Sequence, residues 1–399
     1  MGYCSDMRLL ITLLLLPALL AAQPGGQQGG VTISPGEECP LGMTEVRPRR
    51  CQAPTMPAPS ILDYRPRNTV VSADRPVPRA KFPAVDFHGH PAPIRSAEQL
   101  DALQREFDAM GLGVMIAANN VSGDALRQQL AVVRAHPTMR DRIRFLTGID
   151  FRAVGPGWAD RTVAQLEADI AAGAVGVGEI GKGLGLTTRK ADGTRLAIDD
   201  PALDPVWQAA ARLKIPIFIH TADPAEFWQP IDFKNERWLE LALFPNRRYG
   251  EEFPSFEQLA QERDRMIKRN PNTTFVVAHM AWYANDLPRL ARMMDEMPNM
   301  LVEVGAVLYD IGRQPRAMRD FFGKYQDRIL FGKDSYQPEE YPYYWRVFET
   351  RDDYFDYYRD YHAFWKLYGI DLPDAVLRKV YADNALRILP GMPRPARTR

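Results

Sequence analysis

The stretch Ala84-Val85-Asp86-Phe87-His88-Gly89-His90 decides the reading of this chain. It is short and largely apolar, as a buried strand is, yet it carries an acid and two imidazoles. Seven further runs of the same kind follow it: GVMIAANN (113–120), RIRFLTGID (142–150), AVGVGEIG (174–181), IPIFIHTA (215–222), TFVVAHMA (274–281), MLVEVGAV (300–307) and RILFGKDS (328–335). Each is continuously or almost continuously apolar, the signature of parallel strands buried on both faces.

Helix-like segments separate the runs. Residues 97–110 place Leu100, Leu103 and Phe107 at spacings of three and four. Residues 121–135 and 162–171 behave similarly, residues 255–269 begin with Ser255 as a capping residue after Pro254, and residues 374–389 close the series. Eight strand–helix units predict a (β/α)8 TIM barrel of the α/β class. The competing fold, an open doubly wound sheet, predicts a glycine-rich nucleotide turn after the first strand, and none is present. Two connections are long, residues 223–254 and 336–372, and both follow a strand. They therefore belong on the C-terminal face, where barrel active sites lie. Phe227, Trp228 and Trp238 enrich the first, and Tyr341, Tyr343, Tyr344 and Trp345 the second. Most of these aromatics are expected to pack the insertions onto the barrel, and a few to line a pocket.

The remaining sequence bounds the class. The 399 residues are 46% hydrophobic and 25% charged, ordinary for a globular protein. Fifty basic residues balance fifty acidic ones, so no global field favours nucleic acid or an anionic membrane. A small-molecule substrate is the expected partner, and homo-oligomerisation stays open. Arg8, the apolar run 9–20 and Ala21-Ala22 form the pattern of a secretory signal peptide over residues 1–22. That predicts a secreted or periplasmic protein with no membrane span after cleavage; a short uncleaved anchor is the alternative. Residues 23–80, rich in Pro and Gly and without periodicity, read as an extended arm that wraps a barrel domain at 81–390. Of three cysteines, Cys4 leaves with the signal. Cys39 and Cys51 are expected to pair as a disulfide in an oxidising compartment, with two free thiols as the alternative.

The chemistry sits at the ends of the runs. His88, His90, Glu179, His220, His279 and Asp334 occupy C-terminal ends of strands, which leaves only His136 and His362 of the six histidines elsewhere. Residues two apart on a strand point the same way, so His88 and His90 reach one point in the barrel mouth. Asp86, on that face by the same alternation, is expected to accept a ring N–H from a ligand histidine. Imidazoles and carboxylates from several strands suit Zn²⁺, with Mn²⁺ or Fe²⁺ as alternatives.

This order of residues resembles the amidohydrolase superfamily: His-x-His after the first strand, His after the fifth and sixth, Asp after the eighth. In detail it looks like the amidohydrolase-related branch, which also holds aminocarboxymuconate-semialdehyde decarboxylase and related decarboxylases. The resemblance spans residues 85–389, and Asp383-Asn384-Ala385-Leu386-Arg387 looks like the end of that domain. It implies that His88, His90, His220 and Asp334 are metal ligands, and that His279 is a catalytic residue or a ligand of a second ion. Glu179, in GVGEIGKG, stands where two-metal members place a bridging carboxylate, and TatD-type deoxyribonucleases use a similar Gly-Glu-Ile-Gly segment. Its alternative is to position a water or to pair with Lys182. Glu303 reads as a partner behind a ligand or as a buried structural acid. Two departures stand out. Lys333 precedes Asp334 where the family has a short side chain, and Met280-Ala281-Trp282 follows His279 where the family often has glycine.

The reading is a metal-dependent hydrolase with one or two divalent ions, acting on an amide, lactone or ester. Asp334 would move the proton, His279 would stabilise an oxyanion if it is not a ligand, and Lys182, Trp282 and Tyr336 would contact substrate. A non-oxidative decarboxylase on the same barrel is the first alternative. A TatD-like nuclease and a non-catalytic secreted binding protein follow.

Overall fold

Each of the eight apolar runs becomes a strand in the computed structural model, which describes residues 30–71, 76–392 and 394–395. The proposed signal peptide, with Cys4, lies outside the described residues. The chain forms two compact units that divide after Thr69.

In the first unit β1 (Val31–Thr32), β2 (Thr44–Arg47) and β3 (Arg50–Gln52) make an antiparallel sheet in the order β1-β3-β2. A disulfide joins Cys39 to Cys51, and Cys51 is buried. The strands are too short to show periodicity, so composition alone read this segment as an arm without regular elements.

In the second unit the strands are β4 (Ala84–His90), β5 (Leu112–Val121), β6 (Ile143–Thr147), β7 (Gly176–Ile180), β8 (Ile217–Ile219), β9 (Phe275–Val277) and β10 (Met300–Glu303). The eighth run splits into β11 (Ile329–Leu330) and β12 (Asp334–Ser335). All are parallel neighbours in sequence order. The split run closes the barrel: β11 pairs with β10, while β12 pairs with β4, with Asp334 opposite Gly89 and Ser335 opposite His90. The strands are nearly continuous in apolar character because one face fills the barrel and the other meets the helices. Val85, Phe87, Val114, Ile116, Leu146, Phe218, Val276 and Leu301 form one cluster, and the helix layer forms the other.

The helices begin where their caps predict. Ser96 and Gln99 make a reciprocal capping box at the start of Ala97–Met110, and Ser255 caps Phe256–Arg269. The aromatics of the second insertion do mainly pack: Tyr341, Tyr344 and Trp345 are fully buried around Phe331.

One expectation about the first strand fails. Simple alternation puts Asp86, His88 and His90 on one face. In the structure the register of β4 against β5 shifts between Asp86 and Gly89. Phe87 and His88, successive residues, both pack against Phe218, at 5.4 and 4.6 Å between ring centroids. The irregularity therefore turns His88 inward with Phe87, and Asp86 faces the other way. Its carboxylate takes the backbone N–H of His88 at 3.0 Å, that of Lys333 at 3.1 Å and the Tyr341 hydroxyl at 2.5 Å. Asp86 fixes the bulge and clamps β4 to the segment between β11 and β12. It does not orient a ligand imidazole.

Candidate metal centre

Glu179 stands at the middle of the barrel mouth with three imidazoles around it. Its Oε2 lies 3.3 Å from His88 Nε2 and 3.0 Å from His90 Nε2, and its Oε1 lies 2.8 Å from His220 Nδ1. Asp334 Oδ1 is 3.8 Å from the Nε2 atoms of both His88 and His90. His279 packs on His220 at 4.4 Å between ring centroids. Three candidate ligand sets result among the described residues, His88–His90–Asp334, Glu179–His220–His279 and His88–His279–Glu303, each with its ligating atoms within 4.8 Å of one another. Every sequence-predicted ligand is thus brought together.

The tautomers follow from what lies behind each ring. His88 Nδ1 faces Glu303 Oε2 at 3.0 Å, and His279 Nδ1 faces the Gly305 carbonyl at 2.8 Å. Both partners are pure acceptors, so both Nδ1 atoms carry hydrogen. His90 Nδ1 faces Asn119 Oδ1 at 3.2 Å, and Asn119 is oriented because its amide donates to the Pro91 carbonyl at 2.7 Å. Three Nε2 atoms are therefore left for the centre of the site. His88 Nε2 is fully buried and has no hydrogen-bond partner. Such an orphaned ring nitrogen beside carboxylates fits a divalent cation.

Charge tells the same story. Burial pulls the His88 imidazole down, but Glu179 and Glu303 outweigh it and hold His88 well above the ordinary histidine range. Burial opposes ionisation of Glu179 too, yet the surrounding histidines hold it well below the ordinary carboxylate range. Asp334 stays low because His88 and His279 outweigh its burial. His279 is pushed down to about 4 by burial and by His220 and His88 beside it. Carboxylates on both sides of His88 thus favour positive charge at this spot.

Room for Glu303 is made by two glycines. A Cβ on Gly332 would lie 2.2 Å from its Oε1, and one on Gly305 would lie 2.5 Å away. Glu303 also receives the backbone N–H groups of His279, at 3.3 Å, and Gly305. It is thus the buried partner behind His88, the task the sequence assigned to Asp86.

The other predicted site residues divide. Trp282 stacks on His279 at 4.4 Å and donates from Nε1 to the Ala222 carbonyl at 3.1 Å, so it forms a wall of the site. It gets there through four successive residues with left-handed φ, His279 to Trp282, at 57, 48, 58 and 60°. Such backbone costs about 1–3 kcal/mol per residue and survives only where the surroundings impose it. Lys182 stands at the rim and pairs with Asp223 at 2.5 Å instead of Glu179. Tyr336 spends its hydroxyl on Glu106 at 2.6 Å and packs beside Phe107, so only its ring remains for a substrate. Lys333 is buried beneath the insertion, paired with Glu340. Asn119 and Asp223 were missed. Asn119 was visible as a polar residue at the tip of the second run.

The family model described as Amidohydrolase matches residues 85–391. This chain belongs to the amidohydrolase family. Solved structures with a similar course are an uncharacterised TIM-barrel protein of Bordetella bronchiseptica, a putative amidohydrolase of Staphylococcus aureus and a dihydroxybenzoic acid decarboxylase of Polaromonas with bound manganese. They share 16%, 13% and 12% identity, with TM-scores of 0.48, 0.49 and 0.46. Each alignment covers 77% of this chain and, in the same order, 98%, 99% and 96% of the other. None of the curated proteins matches this chain.

Proposed function

We propose that the chain is a metal-dependent hydrolase that directs water at an amide, lactone or ester. The observation that carries this is the convergence of ring nitrogens, with hydrogen fixed on the far side of His88, His90 and His279, onto Glu179 and Asp334. His88, His90 and Asp334 would hold one ion, and Glu179, His220 and His279 a second, with Zn²⁺ the best fit to the donor set. When bound, such ions lower the pKa of water to about 7 and polarise a substrate oxygen.

The protein's own groups do the rest. Asp334 is ionised and its side chain is 36% exposed, so it can reach a water and accept its proton, then return it to the leaving group. His279 keeps its hydrogen on Nδ1 toward Gly305, so its Nε2 offers a lone pair and not the N–H that an oxyanion needs. This supports the ligand role over the oxyanion role. Trp282 covers His279 and restricts water on that side. The sets His88–His90–Asp334 and Glu179–His220–His279 favour hydrolysis over decarboxylation, because a second ion would add to the activation of water.

The test is elemental analysis of the purified protein, then assay of the zinc-loaded form on small lactones, amides, esters and aromatic acids. Water-dependent cleavage with bound metal is the expected result. Release of CO₂ from an aromatic acid with no hydrolysis would overturn the hydrolase reading in favour of a decarboxylase.

A further inference from the structure

Three residues beyond His220 the chain returns to the site. Ala222 has left-handed φ of 63°, and its carbonyl is held by the Trp282 indole N–H. This turn brings Asp223 back toward the His220 ring. Asp223 Oδ1 lies 3.9 Å from His220 Nε2, and the Asp223 side chain is 8% exposed. Its other oxygen, Oδ2, takes the Lys182 ammonium at 2.5 Å and the Tyr249 hydroxyl. Tyr249 belongs to the first long insertion and is itself stacked on Trp228 at 4.3 Å.

His220 differs from the other three rings. Its Nδ1, not its Nε2, faces Glu179, and its Nε2 is buried with no hydrogen-bond partner. A neutral imidazole that coordinates through one nitrogen keeps its proton on the other, and that proton needs an acceptor. Asp223 Oδ1 is the carboxylate oxygen that His220 Nε2 faces.

We propose that Asp223 is a positioning residue of the metal centre. It accepts the Nε2 proton of His220, so that Nδ1 is presented as the coordinating lone pair beside Glu179. Lys182 and Tyr249 clamp Asp223 from the far side and tie the first insertion to the metal centre. The 3.9 Å separation is longer than a hydrogen bond, so the His220 ring must shift toward Asp223 on metal binding. This rests on the metal reading above. It gives Lys182 a structural partner, and its charge is spent on Asp223.

The test uses Co²⁺ as the probe, with a competing chelator to measure affinity and the cobalt absorption bands to report coordination. The full chain is compared with D223A, D223N and Y249F. Asp223→Ala should weaken cobalt binding by about 10- to 100-fold, keep the number of ions and shift the absorption bands. Asp223→Asn keeps an acceptor oxygen and should recover part of the loss. Tyr249→Phe leaves Lys182 in place and should show a smaller loss in the same direction, which also serves if Asp223→Ala does not fold. Wild-type affinity and an unchanged spectrum in Asp223→Ala would overturn the proposal alone. Loss of a whole ion in Asp223→Ala would overturn it too, by making Asp223 a ligand. Absence of cobalt uptake by the wild type would overturn the metal centre itself.

Discussion

Around Arg237, buried cations and carboxylates alternate; around Glu179, buried acceptors converge. Arg237 pairs with Glu240 at 3.2 Å and lies over the Tyr309 ring at 4.0 Å. Arg247 shares Glu240, and Arg313 bridges Asp310 at 2.9 Å and Glu236 at 3.0 Å. Donors there meet acceptors, and each of these guanidinium groups has a carboxylate partner. The histidine cluster has a similar degree of burial but no arginine or lysine at its middle. Its rings and acids leave His88 Nε2 near carboxylates but with no hydrogen-bond partner. Burial of ionisable groups therefore does not mark a site by itself. The mark is an imbalance of acceptors over donors that only a cation from outside corrects.

Substitutions should separate the two clusters. The largest effect is expected from Asp334→Asn, which should lower turnover of whichever substrate is found by about 10²- to 10⁴-fold while leaving thermal melting unchanged. Wild-type turnover would remove the proton-transfer role. Arg237→Met should cost about 3–5 kcal/mol of stability in urea unfolding, because Glu240 is left buried without that partner. Its metal affinity should match the wild type; a parallel loss of metal would show that the two clusters are one. Glu303→Gln should weaken metal binding by about 10- to 100-fold with little change in melting of the metal-free protein.

Smaller effects come from pH. His88 retains its proton above the ordinary histidine range, so an ion must displace that proton. Metal affinity should therefore climb as pH rises and fall in acid, read by chelator competition at several pH values. Asp310 has the opposite bearing on the other cluster. Burial raises its pKa from 3.8 to about 6. A raised acid favours the folded state while protonated, so its stabilising contribution is full below the unfolded value and is lost as pH rises through about 6. Asp310→Asn should flatten that part of the stability profile.

The barrel was legible because its strands are buried on both faces, which leaves long apolar runs whose order in sequence is their order in space. The capping residue Ser255 marked a helix start because its effect is local. The candidate ligands were legible as polar residues at strand ends. What lay hidden depends on contacts between distant residues. Nothing in the sequence marks the register shift that turns His88 inward beside Phe87 and sends Asp86 to Tyr341. The left-handed turn at Ala222 places Asp223, and Ala is not a residue that announces such a turn. Glu303 was visible as a buried acid, but its choice of His88 follows from the close approach of Gly305 and Gly332. The strands of residues 31–52 escaped because two to four residues show no period.

The central claim is that the converging acceptors at Glu179 hold metal, and the most direct measurement is metal content. The purified protein should retain one to two equivalents of zinc after exhaustive dialysis against metal-free buffer. The double variant His88→Ala/His220→Ala should retain none while keeping its fold. A folded wild-type protein that takes up no divalent metal, or a double variant that retains as much as the wild type, would contradict the account.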